Sequence, residues 1–353
     1  MKLTDHVTLG RSGLRVSPMC LGTMTFGTAW GWGADQDAAK AQFDAYVDAG
    51  GNFVDTADIY TGGQSEELVG GFIADRNLRD RIVLATKFTF NLDKGNPNAG
   101  GNGRKLVRRA IEASLKRLRT DHLDLYWLHC WDMVTPVDEV MRTLDDLVRD
   151  GKVRHIGFSD VPAWYAARAQ TLAEWRGLEP VIALQLEYSL VERGIERELV
   201  PASQELGMAI TPWSPLAGGF LAGKYPRDGG GEGRLGKHRG SGNPAFDRMT
   251  ARNYEILDVA QAVAAEVDRP VAQVALAWLL GRPGVTSTIV GARSVEQLQQ
   301  NLAALEVVLS PEQRARLDEV SSFAPGHPYT FFREPTQQML YGPARVAKWK
   351  PQG

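Results

Sequence analysis

Short, strongly apolar runs recur along the chain and alternate with stretches of helical periodicity. Three successive runs end in Asp55, Lys87 and His129, so each delivers an ionisable side chain at its downstream end. Runs of this length and composition are typical of strands that are buried on both faces, as parallel strands are. The segment 137–150, which follows the third run, repeats apolar residues at helical spacing. The alternation therefore predicts an α/β fold with a parallel sheet.

The full pattern alternates eight strands with helices. We predict strands near Leu21 and at residues 53–55, 82–87, 123–129, 153–158, 182–187, 209–213 and 287–290. We predict helices at residues 37–49, 65–74, 104–118, 137–150, 162–176, 194–206, 252–265 and 295–305. Eight alternations imply a closed (β/α)8 TIM barrel, which we assign to a single domain over residues 1–322. Residues 7–17 carry two short extended pieces about Gly13, which predicts an N-terminal β-hairpin that closes the bottom of the barrel.

Two segments depart from this pattern. Residues 217–250, after the seventh strand, contain ten glycines and no hydrophobic period. We expect a long mobile loop on the functional face, as either a lid or a solvated insertion. The tail, residues 323–353, is rich in aromatic residues. We expect it to pack on the barrel, over the active-site mouth or on the outer helices, and a partner subunit is the open alternative.

Composition narrows the classes of partner. The chain of 353 residues has a net charge of -2 and 43% hydrophobic residues, with acids and bases interspersed, so we expect no nucleic-acid partner and no membrane partner. The two cysteines, Cys20 and Cys130, are too few for a disulfide framework, which favours a cytoplasmic location. No stretch approaches the roughly 18 apolar residues of a membrane span. The expected partner is a small molecule, and the oligomeric state stays open.

The carboxyl ends of barrel strands meet at one face, so four polar residues are expected to share a cavity: Asp55, Tyr60, Lys87 and His129. A tyrosine in water donates protons poorly at neutral pH because its pKa is about 10, and an adjacent ammonium lowers that value by stabilising the phenolate. Lys87 can supply the ammonium and Asp55 its counter-charge. His129 can hydrogen-bond the same substrate oxygen. The set predicts reduction of an aldehyde or ketone by proton donation beside hydride transfer.

Several stretches resemble the aldo-keto reductase family, and they span nearly the whole predicted barrel. They are residues 52–60, 85–87, 124–129 and 151–159, which read NFVDTADIY, ATK, DLYWLH and GKVRHIGFS. The resemblance is to the bacterial and fungal branch with aryl-alcohol dehydrogenase-like members. It implies that Tyr60 is the general acid and that Lys87 and Asp55 tune it. It also implies that His129 orients the substrate carbonyl.

The sequence does not predict a Rossmann domain, because no G-x-G-x-x-G turn follows an early strand. The resemblance implies instead that NADPH or NADP⁺ binds across the barrel mouth. The cofactor-binding residues that it implies are Ser159, Asp160, Gln185, Trp213, Ser214, Pro215, Leu216, Gly218, Lys224, Gly291, Arg293, Gln297 and Asn301. Arg293, beside a helix start, suits a 2′-phosphate and favours NADPH over NADH. Asp160 departs from the family, which usually has asparagine after the serine.

Four aromatic residues are predicted to line the substrate pocket: Trp30, Trp32, Phe88 and Trp131. Such a wall favours apolar or aromatic carbonyl compounds, although tryptophan also stacks on sugars. The alternative function is a non-catalytic NADP-binding regulatory subunit, as in the potassium-channel β-subunits that share this fold. A metal-dependent hydrolase is disfavoured and no metal site is expected, because the six histidines include no H-x-H pair.

Overall fold

The computed structural model describes residues 1–227, 233–237, 247–332, 334–344 and 346. The chain divides into two units, residues 1–321 and residues 322–353, and each is described by itself. No helix among the described residues is both long enough and apolar enough to cross a membrane.

The first unit is built on an eight-stranded parallel sheet preceded by a two-stranded antiparallel hairpin. The strands are β1 Val7–Thr8, β2 Arg15–Val16, β3 Met19–Gly22, β4 Phe53–Asp55, β5 Val83–Phe88, β6 Leu123–Leu128, β7 Val153–Ser159, β8 Val181–Glu187, β9 Ala209–Trp213 and β10 Thr288–Val290. The sheet order is β10-β3-β4-β5-β6-β7-β8-β9, with all pairings parallel. A parallel bridge between Ile210 and Val285 joins its two ends. The (β/α)8 barrel predicted from the sequence is confirmed.

Helices surround the sheet. They are α1 Gln36–Asp48, α2 Gln64–Asp75, α3 Arg104–Leu118, α4 Val137–Arg149, α5 Ala163–Arg176, α6 Leu199–Leu206, α7 Arg234–Lys237, α8 Ala251–Glu266, α9 Val271–Leu280, α10 Val295–Leu302 and α11 Pro311–Val320. Side-chain oxygens cap several of them: Asp35 accepts from the Ala38 amide at 2.9 Å, and Ser310 and Gln313 form a reciprocal capping box. These caps fix where the helices begin.

Strand alternation sorts the side chains into two layers, because successive residues point to opposite faces of a strand. Outward-facing residues such as Val54 and Leu84 belong to the core between the sheet and the helices. Inward-facing residues such as Phe53 and Trp127 belong to a separate core inside the barrel, which the hairpin residues Leu9 and Val16 also join. The predicted hairpin is thus present, and its apolar side chains fill the barrel interior.

Several helices differ from the sequence prediction, among them α6, α9 and α11. The predicted helix 194–206 starts too early: a short 3-10 turn occupies Gly194–Glu196, and α6 begins at Leu199. This start places Pro201 in the first turn, where a missing amide hydrogen costs least. Helix α9 was not predicted because Val271–Leu280 is apolar on nearly all faces and shows no amphipathic period. Helix α11 was also missed, although its capping box was readable in the sequence.

The glycine-rich segment 217–250 is only partly described. It contains a 3-10 turn at Ala217–Ala222 and the short helix α7, while residues 228–232 and 238–246 lie outside the described residues. The second unit contains a 3-10 turn at Tyr329–Phe332 and the helix α12 Glu334–Tyr341. The predicted role of segment 217–250 and the predicted packing of the tail stay predictions.

Candidate active site

The carboxyl ends of three neighbouring strands bring the predicted chemical groups together. Asp55 ends β4, Lys87 lies near the end of β5, and His129 directly follows β6. Tyr60 begins a short 3-10 turn in the loop after β4. Alternation directs the first three side chains to the same interior face, and parallel pairing of the strands sets them side by side.

Lys87 is fully buried and uses its ammonium group on three acceptors. Its Nζ atom donates to the Asp55 carboxylate, to the Thr56 carbonyl oxygen at 2.8 Å and to the Tyr60 hydroxyl at 3.2 Å. Burial lowers the pKa of Lys87, but Asp55 and Tyr60 outweigh that effect and raise the pKa above its ordinary value. The lysine therefore stays protonated, and one of its hydrogens points at the tyrosine oxygen.

Asp55 supplies the counter-charge, and only 2% of its surface is exposed. One carboxylate oxygen pairs with Lys87, and the other accepts from Gln185 Nε2 at 3.0 Å. Burial raises the pKa of Asp55, while Lys87 and Gln185 oppose that rise by stabilising the ionised carboxylate. The ion pair is therefore held by hydrogen bonds from two strands.

His129 is neutral in this environment. Burial and the nearby Lys87 charge hold the pKa of the imidazole well below its usual 6.5. Its ring meets the Tyr60 ring edge-on at 5.9 Å between centroids, and its Nδ1 atom has no hydrogen-bond partner among the described residues. A neutral imidazole can donate one hydrogen bond to a substrate oxygen. Because the imidazole is not protonated, it does not compete with Tyr60 as the proton donor of the site.

A cavity of about 490 Å³ opens above these groups. Asp55, Tyr60 and His129 line it, while Lys87 lies buried behind Tyr60. Trp127 fills the barrel interior beneath, packed so closely that a Cβ atom at Gly157 would lie 2.3 Å from its ring. The fully buried Trp127 therefore fills the barrel interior beside Gly157.

Every residue that the resemblance implied for cofactor binding lines this same cavity. They are Ser159, Asp160, Gln185, Trp213, Ser214, Pro215, Leu216, Gly218, Lys224, Gly291, Arg293, Gln297 and Asn301. One continuous space thus runs from Tyr60 and His129 to the start of α10. Because this cavity is lined by Tyr60 and His129 and also by the cationic Arg293 and Lys224, it has groups that can bind an anionic cofactor.

The turn from β10 into α10 is internally braced. Gln297 accepts from the Arg293 amide at 2.9 Å, and its own amide donates to Ser294 Oγ, the helix cap, at 3.3 Å. Asn301 Nδ2 lies 3.4 Å from the Gly291 carbonyl oxygen. Gln297 and Asn301 therefore shape the turn that presents the exposed Arg293 side chain to the cavity.

The segment after β9 turns sharply along the cavity wall. Ala217, Gly218 and Gly219 all have left-handed backbone, with φ of 49°, 66° and 93°. The Gly218 amide donates to Ser214 Oγ at 3.2 Å, and the Tyr225 hydroxyl donates to the Gly218 carbonyl oxygen at 3.2 Å. Glycine suits such a turn because it carries no Cβ atom.

The predicted substrate residues divide into two groups. Trp32 lines the cavity. The Trp30 ring packs against the Trp32 ring at 5.6 Å and against the Tyr60 ring at 6.5 Å, measured between ring centroids. Phe88 does not line the cavity: it is fully buried in the outer core and packs on Tyr126 at 4.8 Å. Its orientation follows from alternation, because Lys87 points inward and the next residue must point outward. Trp131 also lies off the cavity lining and packs on two aromatic side chains of α5.

Sequence reasoning missed other lining residues. They are Gly22, Met24, Thr25, Ile59, Phe90, Cys130, Gly219, Ala222, Tyr225, Gly233, Ile289, Val290 and Ala292. Phe90 is the most informative, because its ring lies 4.7 Å from His129 and takes the place expected of Phe88. Its position three residues beyond Lys87, in the loop after β5, was the available signal.

Asp160 lies at a turn just after β7, with φ of 45°. Its Oδ1 atom accepts from Trp213 Nε1 at 3.1 Å. The side chain is exposed to the cavity, yet protein surrounds it on most sides, and this burial raises the pKa of the carboxyl to about 7. The aspartate thus orients the indole of Trp213 while it titrates near neutrality.

A second acidic group lies behind the loop that carries Tyr60. Asp58 is 2% exposed, and its Oδ1 atom has no hydrogen-bond partner among the described residues. Burial, with the neighbouring Glu66, raises the pKa of Asp58 to about 8, although Arg117 opposes the rise. Arg117 pairs with Glu66 at 2.6 Å. Asp58 therefore holds a proton at neutral pH.

The comparison with protein families agrees with this geometry. The model of the Aldo/keto reductase family matches residues 18–322. The chain belongs to the aldo/keto reductase family. Its chemistry is therefore oxidoreduction between carbonyl compounds and alcohols. Within the described residues, no group of three or more histidine, cysteine, aspartate or glutamate side chains is arranged to hold a metal ion.

Similar aldo/keto reductase relatives come from fungi and bacteria. A norsolorinic acid reductase of Aspergillus flavus is 37% identical over 92% of this chain and 83% of its own length. An aryl-alcohol dehydrogenase [NADP(+)] of Phanerodontia chrysosporium is 36% identical over 94% of this chain and 89% of its own. An uncharacterized oxidoreductase of Bacillus subtilis, YrpG, is 37% identical over 90% of this chain and 95% of its own.

Proposed function

We propose that this protein is an NADPH-dependent reductase of aldehydes or ketones, reversible toward alcohols, with Tyr60 as its general acid. The observation that carries the proposal is the hydrogen bond of 3.2 Å from the buried Lys87 ammonium to the Tyr60 hydroxyl. An ammonium in that position stabilises the phenolate that remains after Tyr60 gives up its proton.

The residues divide the chemistry of carbonyl reduction between them. A bound reduced nicotinamide would supply a hydride to the carbonyl carbon. Tyr60 would donate its proton to the carbonyl oxygen, and Lys87 would hold the resulting phenolate. His129, neutral because of burial, would donate a hydrogen bond to the same oxygen and fix its position over Tyr60. In the oxidation direction the phenolate would accept the alcohol proton.

Cofactor choice is proposed from the cationic groups of the cavity wall. Arg293 and Lys224 line the cavity, and their positive charges would hold the phosphate groups of the cofactor. Arginine pairs with a phosphate through two parallel hydrogen bonds, so Arg293 would recognise the 2′-phosphate that separates NADPH from NADH. The relative named aryl-alcohol dehydrogenase [NADP(+)] is consistent with this choice.

The aromatic rim supports aromatic carbonyl compounds as the substrate class. Trp32 and Phe90 line the cavity beside Tyr60 and His129, and Trp30 packs on Tyr60 from outside. Flat aromatic faces stack on flat aromatic substrates and gain about 0.5–1.5 kcal/mol per ring pair beyond simple burial. A benzaldehyde-type substrate would present its carbonyl to Tyr60 while its ring lies between these side chains.

The test is consumption of NADPH, followed by its near-ultraviolet absorbance, with aromatic, aliphatic and sugar aldehydes and with NADH in parallel. Loss of NADPH that requires the aldehyde, with formation of the matching alcohol, is the expected result. We expect aromatic aldehydes to give the lowest KM. Tight NADPH binding without turnover on any aldehyde would instead favour a non-catalytic NADP-binding subunit.

A cytoplasmic location stays a prediction.

A further inference from the structure

Asp160 brings a negative charge into the cavity that its neighbours do not neutralise. Its carboxylate orients Trp213, but the neutral oxygen of an asparagine would accept the same hydrogen bond from the indole. Within the described residues, no lysine or arginine lies at ion-pair distance from Asp160. Holding Trp213 in place therefore does not require the negative charge of Asp160.

The ionisable groups around Asp160 come from three elements: β8, β5 and the loop after β6. Glu187, at the end of β8, acts on it, but Glu187 is itself paired with Arg248 at 2.6 Å. The positive charge of Lys87, on β5, lowers the pKa of Asp160, but the Lys87 ammonium forms its ion pair with Asp55. Cys130 and Asp132 lie in the loop after β6, and burial raises the pKa of the Cys130 thiol, which therefore stays neutral. None of these groups cancels the Asp160 charge.

We propose that Asp160 makes the protein select the oxidised form of its nicotinamide cofactor over the reduced form. This inference rests on the proposed function. The nicotinamide ring of NADP⁺ carries a positive charge, whereas the ring of NADPH is neutral. Asp160 shares the cavity wall with Ser159, Gln185 and Trp213, close to the end where Tyr60 and His129 would hold the substrate. A carboxylate there attracts the cationic ring and leaves the neutral ring almost unaffected.

The selection depends on pH, because Asp160 titrates near neutrality. Below its pKa the carboxyl group is neutral and the two cofactor forms are treated alike. Above its pKa the carboxylate favours NADP⁺, so the ratio of the Kd of NADPH to the Kd of NADP⁺ rises with pH. If bound NADP⁺ raises the acid dissociation constant of the Asp160 carboxyl group about tenfold, this ratio of Kd values rises about fivefold between about pH 6 and about pH 8. His129 stays neutral across this range because its pKa is low.

The test measures the Kd of NADPH and of NADP⁺ by calorimetry at both pH values, in the wild type and in Asp160→Asn. Asparagine tolerates the left-handed backbone at this position and can still accept from Trp213. Titration of the 2′-phosphate affects both cofactor forms equally and cancels in the ratio. Glu187→Gln is the matched control, since it removes the neighbouring carboxylate and keeps Asp160.

The expected result is a ratio that rises about fivefold with pH in the wild type and stays flat in Asp160→Asn. In Glu187→Gln the ratio should still rise with pH, with its midpoint at a lower pH because Glu187 raises the pKa of Asp160. An equal rise in Asp160→Asn and the wild type would overturn the inference while leaving the proposed function intact. A flat ratio in the wild type would overturn it as well. Failure of the wild type to bind either form would contradict the proposed function itself.

Discussion

The buried Asp55–Lys87 pair predicts a large coupling free energy between two single substitutions. Asp55→Asn leaves the Lys87 ammonium buried without a counter-charge. Lys87→Met likewise leaves the Asp55 carboxylate buried without a counter-charge. The two side chains are 2% and 0% exposed, so solvent screens neither charge. Stranding one member of a buried pair costs about 3–5 kcal/mol in the free energy of unfolding.

The double variant Asp55→Asn/Lys87→Met strands no charge. Its loss of stability should therefore be smaller than the sum of the two single losses, by at least about 2 kcal/mol. Urea unfolding of all four proteins, followed by tryptophan fluorescence, gives the coupling free energy directly. The exposed pair Arg168–Asp138, joined at 2.9 Å with side chains 57% and 41% exposed, is the control and should show coupling of about 0–1 kcal/mol. Additive losses of stability at Asp55 and Lys87 would contradict a stabilising interaction between the two buried charges.

Three further predictions follow from the placement of single side chains. Phe88→Ala should lower the free energy of unfolding by about 3–5 kcal/mol and leave the KM for an aromatic aldehyde unchanged, whereas Phe90→Ala should raise that KM with little loss of stability; the reverse pattern would contradict the placement of both rings. Asp58 keeps its proton in the folded protein up to about pH 8, but the unfolded chain releases it near pH 4, so the stability that this group contributes is lost as pH rises through that window. Asp58→Asn should therefore gain stability over the wild type toward the upper pH in urea unfolding, and parallel pH curves would contradict this. Arg293→Ala should raise the Kd of NADPH about tenfold or more and leave that of NADH unchanged, and equal weakening of both would remove the assigned role.

Most of the fold and of the catalytic set could be predicted from the strand periodicity of the sequence. Because side chains alternate along a strand, the inward positions of Asp55 and Lys87 follow once the strands are recognised. The same rule excludes Phe88 from the cavity, and applying it to that residue would have corrected the predicted pocket. Helix α9 could not be recognised in this way, since a helix that is buried on nearly all sides lacks the polar face that reveals its period.

Contacts between distant loops were not readable from the sequence. The bond between Trp213 and Asp160 joins the ends of two strands that are 53 residues apart, and the raised pKa of Asp160 depends on how the cavity surrounds it. The position of Phe90 depends on the backbone at Thr89, whose φ of 130° turns the chain back over His129. These features come from tertiary packing, and the one local signal among them is the position of Phe90 three residues beyond Lys87.

The most direct test of the account is Tyr60→Phe, because it removes the proposed proton donor and keeps the ring. We predict that kcat for aldehyde reduction falls by about 10²–10⁴-fold while the Kd of NADPH stays unchanged. Tyr165→Phe is the control: that hydroxyl is buried off the cavity and has no hydrogen-bond partner among the described residues, so kcat should not change. A Tyr60→Phe variant that reduces aldehydes at the wild-type rate would contradict the assignment of Tyr60 as the general acid.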